Sequence, residues 1–269
     1  MLSLSKFLSK VNFSDISGAY SMYEEIKEES CVPFKFEGEI NAGVLLIHGF
    51  TGSPGEIKPL GEYLAKKGFH VRAVLLPGHC TSPEDLEKTT WEDWAKKVRE
   101  EYHAFSSELN APVFVSGLSL GGALTLYLAE VEKDIPAIAP LAAPVKLPAI
   151  VKLAPLILKF ERFIKARPKV KYEIKHYFYD KIPVKSVIEV VKIVNFVREN
   201  LKKIISPTLI VQGLKDETIS PDNARIIYNN ISSEIKEILW LKNTHHVIPL
   251  DVERERAFEA IANFFMRFV

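Results

Sequence analysis

Residues 117–122 read Gly-Leu-Ser-Leu-Gly-Gly, a G-x-S-x-G string with Ser119 at its centre. A serine hydroxyl attacks a carbonyl only when a neighbouring base removes its proton. As a bare string the match is weak, since average Gly and Ser usage gives it in roughly one chain in ten of this length. Its surroundings make it informative. Val113-Phe114-Val115 precedes it and Ala123-Leu124-Thr125-Leu126-Tyr127-Leu128 follows it, so the serine falls between a strand and a helix. There the chain must turn so tightly that the hydroxyl stands clear of the sheet, and Gly117 and Gly121 remove the side chains that would collide. The helix that follows presents free N–H groups and a positive dipole end to the same place.

A serine in this setting calls for an acid and then a histidine, in that chain order. After the apolar run Thr208 to Gln212 comes Gly213-Leu214-Lys215-Asp216-Glu217. Asp216 is the preferred orienting carboxylate, with Glu217 its rival. After the last strand comes Asn243-Thr244-His245-His246-Val247-Ile248. Two adjacent histidines cannot both face one serine; His246 is preferred as the base, and His245 is assigned a supporting or surface place. Acyl transfer also needs two donors aimed at the developing oxyanion, one of them the amide after the nucleophile. That amide belongs to Leu120. The other is expected from the loop after the first core strand, His48-Gly49-Phe50-Thr51-Gly52, where the Phe50 amide is the candidate. His48 precedes the serine and is read as structural.

These groups need strands that end beside them. Gly43 to Ile47 is a short apolar run suited to a buried parallel strand, and Glu56 to Lys67 spaces Ile57, Leu60, Tyr63 and Leu64 along a helix face. Val71 to Leu76 is a second strand, stopped by Pro77-Gly78. Ser82 and Thr90 each begin a capped helix with an acid three residues on. Further strands are predicted at 112–115, 135–141, 208–212 and 237–241, with helices at 121–131, after Ser220 and over 252–269. Such alternation implies a mostly parallel sheet flanked by helices, an α/β fold with right-handed crossovers. One region breaks it. Between Pro144 and Ile205 no convincing strand is visible, and Ile150 to Ile164 and Val184 to Leu201 both look helical, which suggests a helical insertion over 144–183.

Composition narrows the classes. The 269 residues carry 35 Lys plus Arg against 34 Asp plus Glu, with 47% hydrophobic and 26% charged residues. This is a globular balance with no global reason for nucleic-acid binding. The most apolar stretch, Ala137 to Leu158, is broken by four prolines and two lysines, which excludes a conventional membrane span. Residues 1–10 show no signal-peptide pattern, and a cytoplasmic protein is the default. Two cysteines, Cys31 and Cys80, are too few to suggest a disulfide framework, and neither clusters with histidines as a zinc site would. The near-neutral total hides a Lys- and Arg-rich segment from Lys146 to Lys185.

Taken together, H-G-F-T-G at 48–52, L-P-G-H at 76–79, G-L-S-L-G-G at 117–122, the 213–216 loop and H-V-I-x-x-D at 246–251 resemble the α/β-hydrolases. More narrowly they resemble the small-cap bacterial carboxylesterase and monoacylglycerol lipase group. The resemblance runs from about Phe34 to the C-terminus. It implies an α/β-hydrolase core over 34–143 and 184–269, with a small helical cap over 144–183 covering an acyl pocket. It also implies a serine esterase for small-molecule esters of short to medium acyl chains, needing no metal or organic cofactor. Alternatives are a lipase for longer monoacylglycerols or lysophospholipids, and a silent binding protein on the same scaffold. Relatives often have Gly where this chain has Cys80. Residues 1–33 have no counterpart; Leu4, Phe7, Leu8, Val11 and Phe13 suit an arm packing either on the body or on a second subunit, the latter giving a homodimer.

Overall fold

The computed structural model describes residues 25–166, 170 and 172–269; of the extension over 1–33, the arm positions Leu4, Phe7, Leu8, Val11 and Phe13 lie outside them. In chain order the elements are β1 (Lys35–Phe36), β2 (Gly43–Ile47), α1 (Lys58–Lys66), β3 (His70–Val74), α2 (Pro83–Leu86) and α3 (Trp91–Leu109). Next come β4 (Val113–Leu118), α4 (Leu120–Val131), β5 (Ile138–Leu141), α5 (Ala154–Ile157), β6 (Phe163–Lys165) and β7 (Lys181–Pro183). The chain closes with α6 (Val184–Asn200), β8 (Thr208–Gly213), α7 (Asp222–Asn230), β9 (Lys236–Leu241) and α8 (Arg254–Met266).

The local signals act as their chemistry dictates. Ser82 Oγ accepts the Asp85 amide at the start of α2, and Thr90 forms a reciprocal capping box with Asp93 at the start of α3. Asn110, in the left-handed region with φ 49°, ends α3.

Seven strands form one sheet in the order β1-β3-β2-β4-β5-β8-β9. All pairs are parallel except β1 with β3, an edge pair that sequence periodicity missed because β1 spans only two residues. Alternate residues of the buried strands enter opposite cores. Leu45 and Ile47 join Trp94, Val98, Leu124, Ile193, Val197 and Ile227 on the α3, α4, α6 and α7 side. Val44 and Leu46 join Leu60, Leu64, Phe258, Ile261 and Phe265 on the α1 and α8 side. This is a parallel sheet covered on both faces, which every crossover helix requires.

The connection from β5 to α6 differs from the helical reading of Ile150 to Ile164. Residues 149–157 are helical, but β6 and β7 pair antiparallel as a separate two-stranded sheet. Pro148 caps the start of these helical turns, and Phe163-Ile164-Lys165 pairs with the distant Lys181-Ile182-Pro183. This connection reaches across the loops after β2 and β3. Tyr179 N–H donates to Thr51 O at 3.1 Å, the Tyr179 hydroxyl donates to Gly78 O at 2.7 Å, and Arg162 pairs with Glu87. Among the described residues, no helix is long and apolar enough to cross a membrane.

The cysteines depart from expectation. Cys31 and Cys80 form a disulfide, with Cα atoms 5.6 Å apart. Sequence gave no reason to join them, because the folding of residues 25–31 against the loop after β3 is what brings them close. Cys80 has φ 62°, a backbone position where glycine is at ease, so the cysteine trades conformational comfort for a covalent tie. The bond closes a loop of sequence separation 49, for which chain entropy gives about 4 kcal/mol of stabilisation. Reduction, or the pair Cys31→Ser and Cys80→Ser, is expected to lower stability by about 2–4 kcal/mol, read as a lower melting temperature.

Candidate active site

β4 ends at Leu118 and α4 begins at Leu120, leaving Ser119 alone at the turn with φ 56° and ψ −114°. This is strained backbone for a residue with a Cβ. The surroundings hold it there: Ser119 N–H donates to Leu141 O at 2.8 Å, and the flanking glycines let three segments touch. A Cβ on Gly117 would sit 2.3 Å from Gly121 O, and one on Gly121 would sit 2.2 Å from Ile47 O. Both contacts are with backbone, which cannot step aside.

The loops after β8 and β9 bring the other two groups to this serine. His246 Nε2 lies 3.0 Å from Ser119 Oγ, and His246 Nδ1 lies 2.9 Å from Asp216 Oδ2. An ionised carboxylate only accepts, so Nδ1 carries the proton and Nε2 is left to accept from the serine hydroxyl. The Asp216 side chain is fully shielded from solvent. Its Oδ1 accepts the Thr218 and Ile219 amides at 2.9 and 2.8 Å, and its Oδ2 accepts Gln212 Nε2 at 3.2 Å. Burial pushes this carboxyl up, but the hydrogen bond and charge of His246, with the two amides, outweigh burial and hold it below the usual carboxylate range. Glu217, the rival acid, is exposed.

His245 points elsewhere. Its backbone N–H donates to Asp251 Oδ2 at 2.6 Å, and its Nδ1 lies 3.0 Å from the same oxygen. Asp251 thereby anchors the residue before His246. The acid and histidine loops are also stitched together, with Lys215 N–H donating to Thr244 O at 3.0 Å. Gln212, Tyr172 and Glu253 escaped sequence reasoning. Tyr172 reaches over from the β5–α6 connection, where its hydroxyl accepts the Val247 amide at 3.0 Å. Glu253 accepts the Asn243 amide at 2.6 Å and the Thr244 hydroxyl at 2.9 Å. None of the three lies in a motif; only Gln212, one residue from the end of a buried strand, carried a hint.

On the other side of Ser119 is the loop after β2. Leu120 occupies the first position of α4, where a helix N–H has no intrahelical acceptor. Among the described residues, the Phe50 amide makes no backbone hydrogen bond either. His48 is buried and structural: Nε2 accepts the Leu76 amide at 3.1 Å, while Nδ1 donates to Gly49 O at 2.9 Å. Burial lowers its pKa to about 4, against the opposing pull of the Gly49 carbonyl. Burial and the neighbouring His48 likewise push His79 well below its ordinary value, so both rings behind this loop are neutral. Among the described residues, no three His, Cys, Asp or Glu side chains converge as a metal site would require.

Comparison with known proteins gives the family. The family model described as serine aminopeptidase, S33 (Hydrolase_4) matches residues 38–253. The chain belongs to this α/β-hydrolase family. It is 38% identical over 227 residues to a protein named thermostable monoacylglycerol lipase from Bacillus sp. (strain H-257), covering 84% of this chain and 90% of the relative. It is 34% identical over 238 residues to a carboxylesterase from Bacillus subtilis (strain 168), covering 86% and 95%. Among solved structures, one from the metagenome-derived lipolytic enzymes LipS and LipT superposes with a TM-score of 0.83 at 29% identity, covering 88% of this chain and 98% of that one. The α/β-hydrolase is thus of the bacterial esterase and lipase group.

Because Gly121 abuts the backbone of β2, Gly121→Ala is expected to destabilise the protein by about 3 kcal/mol or more, measured as a shift in the denaturant midpoint. Asp251→Ala should cost less and should loosen the histidine loop, seen as faster amide exchange at His245 and His246.

Proposed function

We propose that this α/β-hydrolase is a serine carboxylesterase that cleaves carboxylic esters through an acyl-enzyme. The observation that carries the reading is the unbroken line from Ser119 Oγ through His246 to Asp216, at 3.0 and 2.9 Å. His246 Nε2 takes the serine proton as Oγ attacks the ester carbonyl. The Phe50 and Leu120 amides hold the oxyanion, each such donor being worth about 3–4 kcal/mol of barrier in comparable sites. The imidazolium passes its proton to the departing alcohol, and the same histidine then activates a water that frees the acid. Asp216 stays ionised, keeps Nδ1 protonated and stabilises the imidazolium. The family is named for an aminopeptidase, but the two Bacillus relatives that match across most of the chain are named for ester substrates, and ester cleavage follows them.

For the acyl group we infer short to medium chains, with the β5–α6 connection over 144–183 acting as a cap. A second reading, a monoacylglycerol lipase, is favoured by two observations. Ile150, Leu156 and Phe160 on that connection are 65%, 54% and 81% exposed, and one relative carries that name. Rates on butyryl and palmitoyl glycerol esters separate the two: a strong palmitoyl preference sinks the short-chain reading.

Labelling by a fluorophosphonate tests the nucleophile itself. Stoichiometric labelling that disappears in Ser119→Ala is expected, and folded wild-type protein that fails to label would refute a serine hydrolase. His246→Ala should lose nearly all turnover while His245→Ala keeps most of it. Asp216→Asn should lower kcat by about 10⁴, because an amide no longer fixes the imidazole tautomer.

A further inference from the structure

Glu56 is a buried carboxyl that the reaction above does not use. It lies just before α1, and its Oε2 accepts the Gly49 amide at 3.1 Å. It also fills the inside of the loop that Gly49, Phe50, Thr51 and Gly52 form. A Cβ on Gly52 would lie 2.2 Å from Glu56 Oε1. A Cβ on Gly49 would lie 3.2 Å from Glu56 Oε2 and 3.7 Å from the Ser119 Cβ. The carboxyl and the Ser119 side chain thus both border the same glycine.

We propose that Glu56 is the positioning residue of the oxyanion loop, that it works as the neutral acid, and that its ionisation sets an alkaline limit to turnover. This rests on the assignment of Phe50 and Leu120 as oxyanion donors. By holding the Gly49 amide, Glu56 fixes the His48–Gly49 peptide, one step before the peptide that carries the Phe50 N–H and whose carbonyl His48 Nδ1 holds. Its protonation matters because acyl transfer builds negative charge on an oxygen held at this loop. A carboxylate behind Gly49 would face that charge through protein rather than water, where like charges repel strongly.

His48, His79 and Asp216 do not supply such a change in the alkaline range; the other titratable groups bonded to the loop are Tyr177 and Tyr179, which meet Ser53 and Thr51 through their backbones. His48, at the end of β2, and His79, after β3, are neutral, and Asp216, behind His246, is already ionised. Burial raises Glu56 to about 8, only partly opposed by the Gly49 amide, so the acid is protonated at neutral pH and ionises just above it. One other buried carboxyl titrates nearby in pH. Burial raises Glu130 to about 9, but it sits near the far end of α4, about 15 Å along the helix from Leu120.

The test is the pH profile of kcat/KM on a butyryl ester, from about pH 6 to 10, in wild type, Glu56→Gln, Glu56→Leu and Glu130→Gln. Wild type and Glu130→Gln should fall about tenfold or more above pH 8. Glu56→Gln keeps an acceptor for Gly49 and cannot ionise, so it should stay within about threefold of wild type at pH 7 and lack the alkaline fall. Glu56→Leu leaves the amide unpaired and should lower kcat about tenfold with KM little changed. An alkaline limb in Glu56→Gln equal to that of wild type overturns the proposal. Should the Glu56 variants fail to fold, infrared titration of Glu130→Gln decides. A protonated carboxyl lost near pH 8 supports the assignment, and no protonated carboxyl at pH 6 overturns it. A wild type without turnover or probe labelling would instead defeat the esterase reading itself.

Discussion

Everything at this site depends on one close approach: the start of α4 lies against the last carbonyls of β2, with Gly121 so near Ile47 O and His48 O that no side chain fits between. That contact forces Ser119 into its left-handed turn. It also sets the loop after β2 directly beside Ser119, where a Cβ on Gly49 would lie 3.7 Å from the Ser119 Cβ. Parallel strand order does the rest. Because β8 and β9 follow β5 outward in the sheet, the loops after them arrive on the other side of the same serine. Ser119 is thus reached from both flanks by loops at the carboxyl ends of strands, where α/β sheets form their clefts.

The electrostatic arrangement follows from burial. Asp216 is stripped of water yet surrounded by two amides, an amide side chain and an imidazole, so its charge is held in place without solvent. Behind the opposite loop the balance is reversed. His48 and His79 meet backbone groups and no carboxylate, and burial leaves them uncharged. A preformed negative charge on one side and neutral groups on the other suit a reaction that makes a cation on histidine and an anion on substrate.

How much of this was legible in the sequence differs by physical cause. Ser119, Asp216 and His246 were readable because turns between strand and helix demand glycine and because chain order is restrictive. Helix starts at Ser82 and Thr90 were readable because capping is local chemistry. The two-residue β1 and the β6–β7 pair were not, since each is stabilised by a distant partner and not by its own periodicity. Gln212, Tyr172 and Glu253 were hidden for the same reason: each acts through a contact that only the fold creates. The Cys31–Cys80 pair was passed over because counting cysteines says nothing of where they lie.

That bond makes part of the chain a ring. Its circumference runs from Cys31 through β1, β2, the loop 48–52, α1 and β3 to Cys80, enclosing the whole segment that supplies the Phe50 amide. A peptide bond cut within the ring opens it without releasing either end. The two pieces remain one covalent molecule, still able to pair β2 with β4.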